Sequence, residues 1–490
     1  METIDYVVLA VYFFVLIGIG LWGYTKVSSS ADFYTAGGKL PWWLSGISHH
    51  VSGYSGVVFV AYAAIAYTHG LTVYIWWAVS ISIALVGTIL FIAPRWARLR
   101  ATTGIQSPTE YLSTRYNLPT QQVMAWTGVI AKLFDVAAKW AAIGILLQGF
   151  TGLPIEWGII TAGLVTLLYI TIGGLWADVM NDLASFVIQF IVGIILFITV
   201  LAQLGDGIGG IFTLWDRLPE ANSNLFNAPY TPGFALAFMV ICFFSYSGGT
   251  WNLATRFISS SSGSEAKKAA TLSMVLYLLW PLILFFPMFA APVFLPGLEN
   301  PEQSYPLLAL KFLPPGVLGL LLASMFSNTL TMTGSDANTI SAVITRDIFP
   351  VLFKKIRTYD IKRMLLIARI TTFTFLLATI LIAFRSSSFG GVIGLVVSWF
   401  SALLGPIAIP MILGLLPAFR KCDSRAALLS IGGGLLVFLV TKFYFTPTLA
   451  IEIAAPTATS LIIFAVFGFI SRNKVSPKVE KLLDSLNKDI

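Results

Sequence analysis

The sequence predicts an all-α, polytopic membrane protein, from its composition, its long apolar runs and the placement of its basic residues. Hydrophobic residues make up 57% of the 490 residues, charged residues only 11%, and the mean hydropathy is +0.85. A soluble domain carries about a quarter charged residues, because its surface must be wetted. A chain this poor in charge cannot cover a water-facing surface, so the lipid bilayer is its expected solvent.

The apolar runs predict about thirteen transmembrane helices, because about 20 apolar residues cross the hydrocarbon core. The first run is too long for a removable signal peptide and is expected to stay as a helix. Long polar connections are predicted at 96–120, 205–233 and 346–360. The predicted helices lie near 4–25, 42–68, 71–94, 121–148, 154–172, 179–203, 234–257, 267–296, 314–345, 361–384, 389–417, 425–444 and 448–471.

The basic residues predict the orientation of these helices. With the N-terminus outside and alternating helices, the loops and tail on the cytoplasmic side hold 23 of the 30 Lys and Arg residues. Lys and Arg accumulate in cytoplasmic loops of membrane proteins. We therefore expect a multi-pass plasma-membrane protein with a cytoplasmic C-terminus. The net charge of +8 is explained by these loops, so no nucleic-acid partner is expected, and no obligatory protein partner is evident.

Two of the predicted helices contain a break of glycines and hydroxyl residues in mid-span. The second helix has it at Ser48–Gly56 and the seventh at Ser245–Asn252, five helices further on. Unwound backbone at membrane depth survives where it is buried or lines a wet cavity. Matched breaks in two halves of a chain indicate the central site of a transporter, whereas a single such segment is equally well explained by close helix packing.

Ionisable residues within spans are costly and are therefore candidates for function. Lys132, Asp135 and Lys139 share one helix face, which is compatible with a structural ion pair or with a transport role. Asp336 lies among hydroxyl and amide side chains, and their oxygen atoms are the ligands that a hard cation prefers. Hydroxyls in a helix also donate to backbone carbonyls of their own helix, so some of these residues are expected to be structural. His49, beside the first break, is compatible with a titrating group or with packing.

Two acids lie near the start of the sixth predicted helix. Asp178 is interpreted as an exposed acid at the helix start, where the helix dipole favours it. Asp182 lies about a turn deeper, and as a lone carboxylate on a membrane helix it is expected to be either a cation ligand or a paired structural charge. The cysteines, Cys242 and Cys422, suggest neither a disulfide nor a metal site.

Four short motifs make the chain resemble the sodium/solute symporters, which carry sugars, proline, sialic acid and vitamins. They are 33–41 (FYTAGGKLP), 173–176 (GGLW) followed by Asp182, Arg256 at the end of the seventh helix, and 345–349 (TRDIF). The resemblance covers most of the chain and implies a five-plus-five inverted repeat. The implied divisions are 1–41 (an extra helix and linker), 42–205 and 234–418 (the repeats), 206–233 (an extracellular connection), 419–472 (two further helices) and 473–490 (a cytoplasmic tail).

The resemblance also implies where sodium, the coupling ion, would bind. The backbone carbonyls fall at Val51, Tyr54 and Asn328, and the hydroxyl pair falls at Thr331 and Met332. Met332 departs from the family pattern, because a thioether is a poor ligand for a hard cation. Asp182 matches an acid that some members use for a second sodium ion.

The solute is expected between the two breaks. The residues that would contact it are His50, Tyr54, Trp77, Tyr246, Thr250 and Asn252. Trp77 and Thr250 stand where galactose-type members have Glu and Asn, so galactose is not supported and the solute stays unidentified.

We therefore predict a sodium-coupled symporter of a small organic solute that works by alternating access. Proton coupling on the same fold is the first alternative, because Met332 weakens the sodium site while His49, His50 and Asp182 can titrate. A transporter-like sensor is a second alternative, disfavoured by the lack of an appended signalling domain. An enzyme is not expected, because no nucleophile–base pair or metal-ligand cluster is recognised among the spans.

Overall fold

A computed structural model of the chain describes residues 1–385, 404–445, 447–471 and 474–487. Within these residues the chain is built from helices, nine of which are long and apolar enough to cross a membrane. The principal helices are α1 Thr3–Lys26, α2 Trp42–Val51, α3 Val58–His69, α4 Tyr74–Thr103, α5 Leu118–Thr151, α6 Ile155–Leu204, α7 Pro232–Gly249, α8 Asn252–Ile258, α9 Gly263–Phe294, α10 Val317–Leu352, α11 Ile361–Ala383, α12 Gly405–Leu413, α13 Ser424–Tyr444, α14 Leu449–Ile470 and α15 Pro477–Ser485.

Shorter helical pieces lie in the connections. They include Ser30–Thr35, Leu112–Arg115, Gly210–Thr213 and Ser304–Phe312. The predicted helix 389–417 lies outside the described residues up to position 403, and its last part is α12. The total of thirteen transmembrane helices therefore stays a prediction.

Both predicted breaks are present. α2 ends at Val51, and the chain resumes as a helix at Val58. A side chain at Gly53 would collide with the Tyr277 hydroxyl, which would lie 1.7 Å from the added Cβ. The second break separates α7 from α8, and Gly248 and Trp251 there have φ of 114° and 71°. Such left-handed backbone is common for Gly and rare for Trp, so surrounding packing must hold it.

A third interruption divides the 50-residue α6 into the two spans predicted from the sequence. Gly174 has φ 56° and ψ −149°, and a Cβ there would lie 2.7 Å from the Phe33 carbonyl oxygen. Only glycine adopts this backbone readily. The Gly173–Gly174 pair therefore marks the kink that separates the two halves of α6.

The predicted start of the polar connection 96–120 was wrong, because the helix α4 continues to Thr103. This basic extension is held to the end of α8. The Arg100 guanidinium donates from Nε to the Ile258 carbonyl at 3.0 Å and from Nη2 to the Ser260 carbonyl at 2.9 Å. These bonds occupy carbonyls that the helix end leaves unpaired.

The polar helix α10 packs against α6 and α1 and has buried side chains along most of its length. Because it is buried on all sides, its hydroxyls, amides and carboxylate face other helices instead of lipid. α10 therefore lies at the centre of the polar core, beside the first break.

Candidate functional site

A small cavity of about 70 Å³ lies between the two broken helices. It has room for a few water molecules. Its walls combine aromatic rings, hydroxyls and three ionisable side chains, contributed by both breaks and by α3, α4, α5, α7, α8 and α10. The lining includes Ser52, Ser55, Tyr62, Trp77, Lys132, Asp135, Lys139, Tyr246, Thr250, Asn252 and Met332.

Four of the six predicted solute residues, Trp77, Tyr246, Thr250 and Asn252, line this cavity. The other two lie behind the wall: the Tyr54 ring is 5.2 Å from Trp77, and the His50 ring is 4.8 Å from Tyr54. The structure thus gathers all six around one point, four in the wall and two in the layer behind it.

Several polar atoms at this point are buried without a hydrogen-bond partner among the described residues. They are both side-chain polar atoms of Asn252, the His50 Nδ1 and the Tyr54 hydroxyl. Buried polar groups in folded proteins are nearly always paired, so their concentration here indicates a place where a ligand would complete the bonding. His49 differs, because its Nδ1 bonds the Ser273 hydroxyl at 2.7 Å and its Nε2 the Tyr246 carbonyl at 3.2 Å. It is a packing histidine.

The charged residues of α5 form a closed ring with α10. The Lys132 ammonium lies 2.8 Å from Asp135 Oδ2 and 2.7 Å from Asp336 Oδ1. The Lys139 ammonium lies 2.8 Å from the same Asp135 oxygen and 2.6 Å from Asp336 Oδ2. All four side chains are buried. The interpretation of Asp336 as a cation ligand is therefore corrected: its carboxylate binds two ammonium groups.

A second charged cluster lies where α2, α6, α8 and α10 meet. The Arg256 guanidinium donates to Asp178 Oδ2 at 2.6 Å, to Asp182 Oδ2 at 3.1 Å and to the Ser52 hydroxyl at 3.1 Å. It also bonds the Ser335 hydroxyl, and Ser48 bonds Asp182. The interpretation of Asp178 as exposed was wrong, since its side chain is fully buried. Asp182 is also buried and shares the guanidinium, which agrees with the paired-charge alternative, and its role as a sodium ligand stays a prediction.

The predicted sodium residues of α10 lie against α6 beside this cluster. Thr331 Oγ1 accepts from the Asn181 amide at 2.9 Å and donates to the Ser327 carbonyl at 2.7 Å. The Asn328 carboxamide oxygen accepts from the Ser185 hydroxyl at 2.8 Å. Asn181 and Ser185 flank Asp182 on α6, so Thr331, Asn328 and Asp182 share one region.

The first break reaches the same turn of α10. The Gly56 N–H donates to the Thr329 hydroxyl at 2.9 Å. The Val51 carbonyl accepts from the Tyr54 N–H at 2.9 Å, and the neighbouring His50 carbonyl accepts from the Tyr277 hydroxyl at 2.8 Å. The unwound backbone of the first break is thus fixed from two sides, by α9 and by α10.

Sequence reasoning missed three contributors to this region. Ser52 and Ser55 lie within the first break and were not singled out from its other residues, although hydroxyls in an unwound segment are a usable signal. Asn181 could have been found from its position next to Asp182 in a membrane helix. Its contact with Thr331 depends on how α6 and α10 are rotated against each other, which no local pattern reveals.

Comparison with known proteins identifies the family. The sequence model of the sodium:solute symporter family matches residues 33–434 of this chain. The human sodium/iodide cotransporter is 28% identical over 459 residues, which cover 89% of this chain and 69% of that protein. The sodium/glucose cotransporter of Vibrio parahaemolyticus is 25% identical over 387 residues, covering 71% and 69%.

The fold agrees with this assignment. A solved structure of a sodium-coupled sialic acid symporter, substrate-bound and outward-open, superposes with a TM-score of 0.81 and covers 96% of this chain and 98% of that one. The sequence identity in that match is 19%, so it establishes the fold alone. The predicted all-α fold class is confirmed, and the prediction of sodium-coupled symport is confirmed at the level of the family. This chain belongs to the sodium:solute symporter family, whose members are multi-pass membrane transporters coupled to sodium.

Proposed function

We propose that this protein is a plasma-membrane symporter that couples sodium entry to the uptake of a small organic solute bound between the two broken helices. The observation that carries the proposal is the convergence of both breaks on one polar cavity. The N-terminus would lie outside and the C-terminus in the cytoplasm, as the basic loops indicate. No enzymatic step is part of this function, and no obligatory protein partner is proposed.

The sodium ion would bind at the first break, held by the carbonyls of Val51, Tyr54 and Asn328 and by the Thr331 hydroxyl. Oxygen ligands of this kind suit a hard cation. Support comes from the hydrogen bond between Gly56 and Thr329, which holds the unwound segment against the turn of α10 that carries Asn328 and Thr331. Sodium there would tie the first break to α10 and favour the outward-open state.

Asp182 is proposed as a further oxygen ligand, for the same ion or for a second one nearby. Its Oδ2 accepts from Arg256 at 3.1 Å, whereas its Oδ1 is buried without a partner in the described structure. An unpaired carboxylate oxygen in a low-dielectric interior is costly. A cation beside Oδ1 would remove that cost.

The solute site is proposed at His50, Tyr54, Trp77, Tyr246, Thr250 and Asn252. A cavity of about 70 Å³ is smaller than the roughly 300–1,000 Å³ of sites that hold small ligands. Solute binding therefore requires the two halves to separate, as alternating access between repeats 42–205 and 234–418 would provide. The segments 1–41, 206–233, 419–472 and 473–490 would lie outside this moving pair.

The lining favours a polar solute with a hydrogen-bonding group next to an apolar body. Thr250 and Asn252 offer hydrogen-bonding side chains, while Trp77 and Tyr246 offer ring faces. Relatives are named for glucose, iodide, sialic acid, monocarboxylates and proline. The solute is best identified by thermal-shift screening of the purified protein with and without sodium, because specific binding raises stability by mass action.

Uptake of the identified solute into proteoliposomes then tests the coupling. An inward sodium gradient should drive uptake, and a sodium ionophore should abolish it. Proton coupling is the competing candidate, because Met332 lines the cavity at a position where a hydroxyl ligand is expected. Full uptake driven by a proton gradient in sodium-free buffer would overturn the sodium proposal and establish the competitor.

A further inference from the structure

A second cavity lies away from the central site, on the side of the molecule where α5, the end of α10 and the start of α11 diverge. It is an apolar groove of about 760 Å³. Its lining includes Trp126, Val129, Phe349, Phe353, Ile370 and Phe375. Trp126, Phe353 and Ile370 are 45%, 56% and 55% exposed. Because Phe353 adjoins and Ile370 belongs to a helix that is long and apolar enough to cross a membrane, this part of the lining would face lipid in a bilayer.

A basic segment, residues 354–363, connects α10 to α11, includes the first turn of α11 and contributes to the lining of the groove. It carries five exposed cationic side chains and a single acid, Asp360. These cations are Lys354, Lys355, Arg357, Lys362 and Arg363. Asp360 caps α11, since its Oδ1 accepts from the Arg363 N–H at 2.9 Å. The charge excess of this segment thus stays available to an outside anion.

The groove and the basic segment are physically continuous. Lys355, Ile356 and Tyr359 belong to the segment and also line the groove. The Arg363 guanidinium lies 5.7 Å from the centre of the Tyr359 ring. The part of the cavity beside the basic segment is therefore cationic, and the remainder is apolar.

We propose that this groove binds an anionic phospholipid, with an acyl chain along the apolar lining and the phosphate at the basic segment. A free phosphate would make no use of the apolar part, and a zwitterionic lipid would make little use of the charge excess. Clusters of Lys and Arg at the end of a membrane helix attract anionic headgroups, at about five-fold in affinity for each cation. The volume of about 760 Å³ lies within the range of cavities that enclose whole small ligands.

Native mass spectrometry of the purified full-length protein with phosphatidylglycerol and phosphatidylcholine, each added separately, would test the proposal. The unaltered protein should retain phosphatidylglycerol preferentially. Lys354→Gln/Lys355→Gln should lower phosphatidylglycerol binding by roughly 30-fold, for two cations, and leave phosphatidylcholine binding unchanged. The matched control is Arg420→Gln/Lys421→Gln, which removes two exposed cations from another loop and should have no effect.

A second variant tests the apolar part without altering charge. Thr374 lines the groove and is exposed, so Thr374→Trp would fill the cavity from its open side. Both lipids should then bind more weakly, and the thermal unfolding profile should show that the variant is still folded. Phosphatidylglycerol binding that survives both variants, or that falls equally in the Arg420/Lys421 control, would overturn the proposal. The proposal would also be overturned by a dimer in the same spectra if chemical cross-linking placed the contact between the two copies over the groove.

Discussion

Two clusters of buried charge flank the central site, and they differ in how their charges balance. In the ring of Lys132, Asp135, Lys139 and Asp336, each ammonium contacts both carboxylates. In the Arg256 cluster, one guanidinium serves both Asp178 and Asp182. With every group in its usual ionised form, the ring is neutral and the Arg256 cluster carries one excess negative charge.

The two clusters also differ in whether their buried polar atoms have hydrogen-bond partners. Asp178 Oδ1 and Asp182 Oδ1 are both buried without a partner in the described structure. None of the four ring residues has such an orphaned atom among the described side chains. A buried charge is tolerated when it is paired, so the ring is complete as it stands. The Arg256 cluster has unpaired carboxylate oxygens that could bind a cation. We therefore interpret the ring as a structural charge network and the Arg256 cluster as a candidate ion site.

Breaking the neutral ring should produce the largest loss of stability. Asp336→Asn would leave two buried ammonium groups with one carboxylate, and stranding a buried charge costs about 3–5 kcal/mol. We expect a sharp fall in purified yield and in the detergent thermal unfolding midpoint. The double variant Lys139→Met/Asp336→Leu keeps the Lys132–Asp135 pair and should recover much of the loss. Equal instability of the single and double variants would contradict the charge-balance explanation.

Asp182→Asn should weaken sodium dependence while leaving the protein folded, because Arg256 keeps its 2.6 Å contact with Asp178. Loss of a hydrogen bond to a charged group costs about 1.5–3 kcal/mol. We expect the half-maximal sodium concentration for uptake to rise about ten-fold, equivalent to about 1.4 kcal/mol. A well-expressed variant with unaltered sodium and pH dependence would exclude Asp182 from coupling.

Thr331→Ala should weaken sodium dependence several-fold at a moderate cost in stability. The substitution leaves the buried Asn181 amide without its acceptor, and an unpaired buried donor typically costs about 1–3 kcal/mol. Thr333→Ala is the matched control on the same helix, because within the described part of the chain its hydroxyl bonds only the Thr329 and Leu330 carbonyls of α10. Sodium titrations of uptake that shift equally in both variants would remove Thr331 from the proposed site.

Asn252→Ala should have the smallest effect on stability. Its carboxamide makes no hydrogen bond to the described residues, so the substitution removes no native bond and should change the unfolding free energy by less than about 0.5 kcal/mol. The solute, in contrast, would lose a donor and an acceptor. Thermal-shift titration with the identified solute should show weaker binding and unchanged sodium affinity. Unchanged solute affinity would place the solute elsewhere.

The sequence determined the fold class and most helix boundaries. Apolar runs long enough to cross a bilayer leave little choice of structure, because backbone groups must be paired within the lipid. The predicted helix 361–384 is observed as Ile361–Ala383, and 425–444 as Ser424–Tyr444. Both breaks were also predictable, because glycines and hydroxyls interrupt otherwise apolar runs.

Only the tertiary structure decided which charges pair. Lys132 and Lys139 could be matched locally with Asp135, three and four residues away, but their contacts with Asp336 join positions 204 and 197 residues apart. The pairing of Arg256 with Asp178 and Asp182 likewise depends on how α8 packs beside α6. Helical spacing specifies the face that a residue occupies, whereas the rotation and depth of neighbouring helices decide which face it meets. For that reason the sequence located the breaks, and packing decided that Asp336 completes a neutral ring while Asp182 keeps one oxygen unpaired.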